Sequence, residues 1–304
     1  MNPGRLNWPI RRSTRAFVRE ARRTPGYGLI DFLHGYVYGR WPYLYIRAAA
    51  RPATLPRLIR PLFSVGARLV GRKTGGSDLA DTYHGKVIPT EAAERLVTLN
   101  IEVDLRDLEQ VIPYATARDI VLQSPDHIVA LECPCRASRD EPCQPLDVCL
   151  IVGEPFASFV VDHHPNRARR ISGKEAVDIL RAEHERGHVH HAFFKDAVLG
   201  RFYAICNCCR CCCGAMQAWF NGIPMLASSG YVLHVDRTNC RSCGSCVSRC
   251  PFGALAVGED GMQLEVQVCM GCGVCVSQCP AGALSLARAP ERGQPLEIHK
   301  LIET

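Results

Sequence analysis

The chain has 304 residues, 47% hydrophobic and 22% charged, with a formal net charge of +6. This is the composition of a folded protein, and it excludes a disordered or low-complexity chain. Cysteine is the outlier at 18 residues, and such density in a reducing compartment favours metal or cluster ligation over disulfides.

No uncharged apolar run reaches the ~18 residues of a membrane span, so no transmembrane helix is expected. The first thirty residues lack the apolar core of a secretory signal. Arg11-Arg12 runs into polar Ser13-Thr14-Arg15, where a twin-arginine signal would turn apolar. A cytoplasmic location is the expectation.

Residues 1–76 hold fifteen Lys/Arg and two Asp/Glu, which leaves the remainder acidic. Aromatic residues, among them Trp8, Phe17, Tyr27, Tyr36, Trp41 and Tyr45, interleave with the arginines. A helix is expected from Ser13 to Arg23, stopping before Pro25. Apolar residues at helical spacings mark two more segments, 28–39 and 57–70. Residues 1–77 read as a basic, amphipathic, helical N-terminal arm. It suits an anionic membrane surface, giving a peripheral position on the inner face of the membrane, or an acidic partner subunit. No zinc finger, helix-turn-helix or RNA-binding aromatic motif accompanies it, so nucleic acid is not the expected partner. Lys73-Thr74-Gly75-Gly76-Ser77 has the composition of a linker.

Residues 78–234 read as a small cysteine-rich α+β domain. Thr90 to Glu94 resembles a capping box opening a short helix, and Ser172-Gly173-Lys174-Glu175 is another, opening a helix that ends near Gly187. Pro113 precedes an expected helix over 115–123. Strands are expected at 128–131, 189–194 and 202–205, the first and last of which run into cysteines.

Residues 235–290 are an internal duplication with an offset of 29 residues. Cys240, Cys243, Cys246 and Cys250 precede Pro251, while Cys269, Cys272, Cys275 and Cys279 precede Pro280. Each run is C-x2-C-x2-C-x3-C-P, the spacing that holds a cubane iron–sulfur cluster. Segments 254–257 and 262–266 form an expected hairpin around Gly258-Glu259-Asp260-Gly261. Residues 291–304 are a tail.

This stretch resembles the bacterial two-cluster ferredoxins. The resemblance implies two [4Fe–4S] clusters with crossed ligation, the fourth cysteine of each run serving the other cluster. Cluster one then takes Cys240, Cys243, Cys246 and Cys279, and cluster two takes Cys269, Cys272, Cys275 and Cys250. Structural zinc in two four-cysteine sets is the competing reading. With its further cysteines at 133–149 and 206–213, the chain from about residue 105 to 285 resembles poorly characterised bacterial proteins that join such a domain to a cysteine-rich one.

The middle region supplies ten further cysteines. One group is Cys133, Cys135, Cys143 and Cys149, enough for one more cubane. The other is Cys206, Cys208, Cys209, Cys211, Cys212 and Cys213. Neighbouring side chains of an extended segment diverge, so this second group cannot all serve one metal. At least one additional iron–sulfur centre is expected, with zinc, redox-active thiols or structural cysteines as alternatives. Arg136 and Arg210 lie beside these thiols in sequence. His163, His164, His184, His188, His190 and His191 fall between the groups and are weighed as retuning ligands. No dinucleotide or P-loop motif is present.

The leading expectation is an electron-transfer protein or subunit that relays single electrons to a partner oxidoreductase. The alternatives are a reductase with a catalytic iron–sulfur centre in the cysteine-rich domain and a redox-sensing regulator.

Overall fold

The computed structural model describes residues 11–50 and 79–303. The expected helix at 57–70 and the linker at 73–77 lie outside the described residues.

Three helices open the chain: α1 (Arg12–Arg23), α2 (Leu29–Arg40) and α3 (Pro42–Ala50). Asp31 caps α2 by accepting the Gly28 N–H at 2.7 Å, a negative charge at the helix end that favours it. The next elements are α4 (Leu79–Thr82), β1 (Tyr83–Val87), α5 (Thr90–Val97), β2 (Val103–Leu105) and β3 (Ile120–Leu131). They are followed by α6 (Pro134–Ala137), β4 (Cys149–Glu154), α7 (Phe156–His163) and β5 (Ala168–Ile171). Then come α8 (Gly173–Glu185), β6 (Val189–Lys195), β7 (Arg201–Cys208), α9 (Gly214–Phe220) and β8 (Leu226–Ala227).

Among the described residues the strands form an eight-stranded sheet of order β2-β3-β4-β7-β6-β1-β8, with β5 paired to β3. Alternate residues of each strand serve opposite faces. Val129, Leu131, Cys149, Ile151, Val189 and Phe193 pack on one face with Phe17, Phe156 and Phe159. Ile128, Ala130, Leu150, Val152, Ala192 and Phe194 pack on the other with Leu96, Ala176 and Leu180 of α5 and α8. The fold is mixed α+β, as expected.

Residues 12–50 do not stand off as an arm but roof the first face. Phe17 is fully buried, with ring centroids 5.2 Å from Phe32 and 5.6 Å from both Phe156 and Phe159. Tyr27 donates its hydroxyl to the Ala197 carbonyl at 2.6 Å. A Cβ at Gly35 would run into that same carbonyl, so only glycine lets α2 come so close.

Two local expectations change. No helix covers 115–123, because Ile120, Val121 and Leu122 begin the long strand β3, where β-branched side chains fit a pleated, buried surface. The Thr90 side chain caps nothing, since α5 starts at Thr90 itself with Pro89 before it. The second capping box forms, with Ser172 Oγ accepting the Glu175 N–H at 3.2 Å.

The C-terminal region contains β9 (Tyr231–Val235), α10 (Ser245–Arg249), β10 (Leu255–Gly258), β11 (Gly261–Leu264), α11 (Val274–Ser277), β12 (Leu284–Arg288) and α12 (Ile298–Ile302). β10 and β11 are the expected hairpin, and β9 pairs antiparallel with β12, bringing the two ends of the duplication together.

Candidate metal centres and the adjoining chamber

Each duplicated loop turns through a left-handed glycine, Gly244 at φ 74° and Gly273 at φ 80°, immediately before a short helix. The turn sends the three close cysteines of a run inward. Cys240, Cys243, Cys246 and Cys279 line one chamber. Cys250, Cys269, Cys272 and Cys275 line the other. The fourth cysteine of each run thus lies with the first three of the opposite run. A side chain at Gly271 would collide with the Tyr231 carbonyl and Ser229 Oγ. These thiol-lined cradles, with backbone drawn close, fit iron–sulfur cubanes.

The two chambers differ in setting. Cys243 is exposed, and the Ser245 hydroxyl lowers its pKa. Burial pushes the Cys272 thiol up to about 12. The second chamber backs onto the sheet, because Phe252, Met270 and Val274 share one core with Cys208, Cys213 and Met216. Trp219 and Phe252 meet edge-on with centroids 5.2 Å apart, and Ser229 Oγ donates to the Gly271 carbonyl at 2.7 Å.

The ten middle cysteines sort differently from their order in sequence. Cys143 leaves Cys133, Cys135 and Cys149 and joins Cys209, Cys211 and Cys212, all four sulfurs lying within 4.8 Å of one another. A tetrahedral Zn–thiolate site, with bonds of about 2.3 Å, sets its sulfurs about 3.8 Å apart. A cubane spreads its thiolates wider, one on each iron. The tetrathiol group therefore suits one metal ion, and the expected cubane on Cys133, Cys135, Cys143 and Cys149 does not assemble.

The other six form a contiguous array. Cys149 and Cys206 face each other in the β4–β7 pair with sulfurs 3.2 Å apart, and Cys208 and Cys213 lie 3.1 Å apart. Cys133 meets both Cys135 and Cys149, and Cys135 meets Cys213. Contact with Cys135 and burial push the Cys133 thiol up to about 12. A metal binding here must displace protons.

Arg136, fully buried, stands between the two groups, with Cys133 and Cys209 both acting on its charge. It forms an ion pair with buried Glu183 and donates to the Asn207 carbonyl at 3.0 Å, while His188 Nδ1 donates to the same Glu183 carboxylate at 2.6 Å. Arg210 instead lies over the Phe220 ring at 4.6 Å. The histidines mostly serve the scaffold. His163 meets Thr14, His164 the Gly39 carbonyl, His184 Ser277, His188 Glu183, and His190 Asn207. His191 is buried opposite Cys206 in the β6–β7 pair.

All six thiols of this array line a chamber of about 540 Å³. Its roof comes from α2 and α3 through Tyr38, Pro42 and Tyr45, and its walls include Tyr83, Phe193, Lys195 and Tyr203. Sequence reasoning missed Tyr38, Lys195 and Tyr203. Their signal was faint, since Tyr203 sits in the strand that runs into Cys206 but nothing marks Tyr38 or Lys195.

The family described as "4Fe-4S dicluster domain" matches residues 233–280. Among curated proteins, none matches the chain. The family match and the tetrathiol group support an iron–sulfur, redox role.

Proposed function

We propose that the protein is an electron carrier with two [4Fe–4S] clusters, one on Cys240, Cys243, Cys246 and Cys279 and one on Cys269, Cys272, Cys275 and Cys250. The observation that carries this reading is the pair of four-cysteine chambers in series, one reaching solvent at Cys243 and one backed onto the thiol-bearing sheet. Bound there, the clusters supply one-electron chemistry. The chain itself keeps water from the second chamber with Phe252 and Met270 and locks it to the sheet through Ser229. A redox partner docks at the Cys243 side, and electrons pass inward toward an additional centre on the six-thiol array. The test is anaerobic iron and acid-labile sulfide counting with EPR of the reduced protein. About eight irons belong to the two chambers, and an excess beyond the tetrathiol group's one ion belongs to the sheet. Absence of sulfide would falsify the reading.

The roof helices supply a second contact. Leu29, Ile30, Leu33, Val37, Trp41 and Leu44 are exposed, Leu29 at 73%, on a region with fifteen Lys/Arg against two Asp/Glu. Apolar side chains among arginines fit an anionic bilayer at its inner face. Co-sedimentation with phosphatidylglycerol vesicles, weakened by Leu33→Asp, is the expected result. Equal sedimentation with neutral vesicles counts against it.

A further inference from the structure

The chamber lined on one side by the six thiols has the size of a ligand site, and the rest of its wall is largely apolar and aromatic with a few convergent polar groups. Three of those groups, Tyr38, Tyr203 and Lys195, can donate. The hydroxyls of Tyr38 and Tyr203 lie 2.6 Å apart, so one donates to the other and one O–H is left to give. Lys195 is 4% exposed, and its ammonium faces the rings of Tyr83, Tyr38 and Tyr45 at 4.8, 5.0 and 5.7 Å. Its ion-pair partner Asp196 stands 3.9 Å away, beyond hydrogen-bond reach. A buried ammonium cushioned mainly by ring faces gains from an oxygen acceptor brought to it. The stacked rings of Tyr83 and Phe193, 5.0 Å apart, offer a flat apolar wall to a planar molecule.

We propose that this chamber binds a quinone, its ring against the aromatic wall and a carbonyl oxygen on Lys195 and the Tyr38–Tyr203 pair. The proposal rests on the relay reading for its redox sense, because a quinone accepts electrons singly and a donor-lined chamber favours the negative charge that grows on its oxygens. Full reduction takes two electrons from the iron–sulfur donor and two protons, one on each carbonyl oxygen, giving the hydroquinone. The apolar, arginine-flanked outer face of α2 and α3 would then set the chamber beside a bilayer that stores such molecules.

The probe is duroquinone, whose methylated ring resists thiol addition, titrated into the oxidised, anaerobically reconstituted full chain. Saturable binding of one duroquinone per chain is expected, with durene, the ring without carbonyls, at least about tenfold weaker. Lys195→Met should weaken duroquinone about tenfold and Tyr203→Phe severalfold, both at unchanged iron content. No saturable binding, equal affinity for durene, or undiminished affinity in both variants overturns the proposal. Iron and sulfide counts on the same samples keep the two readings apart. Full clusters without duroquinone binding defeat the chamber alone, and binding without sulfide defeats the relay alone.

Discussion

The C-terminal duplication and the cysteine-bearing sheet gather sulfur in opposite ways. In the duplication each chamber takes three cysteines from one short loop and the fourth from its twin. The sheet assembles six thiols from β4, β7 and the starts of α6 and α9, so nothing short of the whole fold creates the site. A loop site closes little chain and tolerates damage elsewhere, whereas a sheet site inherits every error in packing. The two regions also differ in water: one chamber opens to solvent at Cys243, while the array sits under α2 and α3.

Substitution of the buried Glu183 by Gln separates the regions most sharply. It leaves Arg136 buried without its carboxylate, a loss of about 3–5 kcal/mol. The melting temperature should drop and the sheet's metal should go, while the EPR signals of the duplication persist. If those signals vanish as well, the two regions fold as one.

Cys272→Ser should remove about four irons and cut transfer between the exposed chamber and the sheet. Cys243→Ser should remove a similar number and stop reduction from outside. Iron counts with stopped-flow reduction distinguish them, and identical kinetics in the two variants would contradict the in-series order.

Cys143→Ser should abolish a single metal ion, about one equivalent, with no change in cubane absorbance. Cys149→Ser should do the reverse, sparing that ion and depleting the array. Loss of both centres in either variant, read by elemental analysis, would merge the two thiol groups into one.

The smallest effect concerns acid. His84 is fully buried between Tyr114 and Phe194, and desolvation lowers its pKa to about 4. The folded state therefore holds it neutral. Its stabilising contribution is present above the unfolded value, near 6.5, and is lost as pH falls from there toward about 4, by at most about 1.4 kcal/mol per unit. Urea midpoints of the metal-free protein should fall between pH 6.5 and 5, and less steeply in His84→Phe. Parallel slopes would rule His84 out as a source.

Particular residues show where reading the chain stops. The capping pair Ser172–Glu175, the hairpin about Gly258–Gly261 and the two C-x2-C-x2-C-x3-C-P runs rest on neighbours in sequence, and each was legible. The helix expected over 115–123 was lost to β3, because tertiary burial overrides weak local preference. The arginine-rich start suggested an arm for a membrane surface or a partner subunit, since charge is visible in sequence but the docking of Phe17 and Gly35 on this chain's own sheet is not. Likewise the divergence of neighbouring side chains showed that Cys206 to Cys213 cannot all serve one metal, yet no pattern announced Cys149 as the neighbour of Cys206.

By itself the sequence determined that eight cysteines near the C-terminus come in two cubane-type runs, because such ligands are set by spacing along a short loop. Only the tertiary structure decided that Cys143 parts from Cys133, Cys135 and Cys149, and that Tyr38, Lys195 and Tyr203 converge beside the thiols. For the strand residues the physical reason is register: antiparallel pairing sets Cys149 opposite Cys206, and a slip of one residue would turn a strand's side chains to the other face. Tyr38 and Cys143 arrive only by the packing of α2 and of a loop.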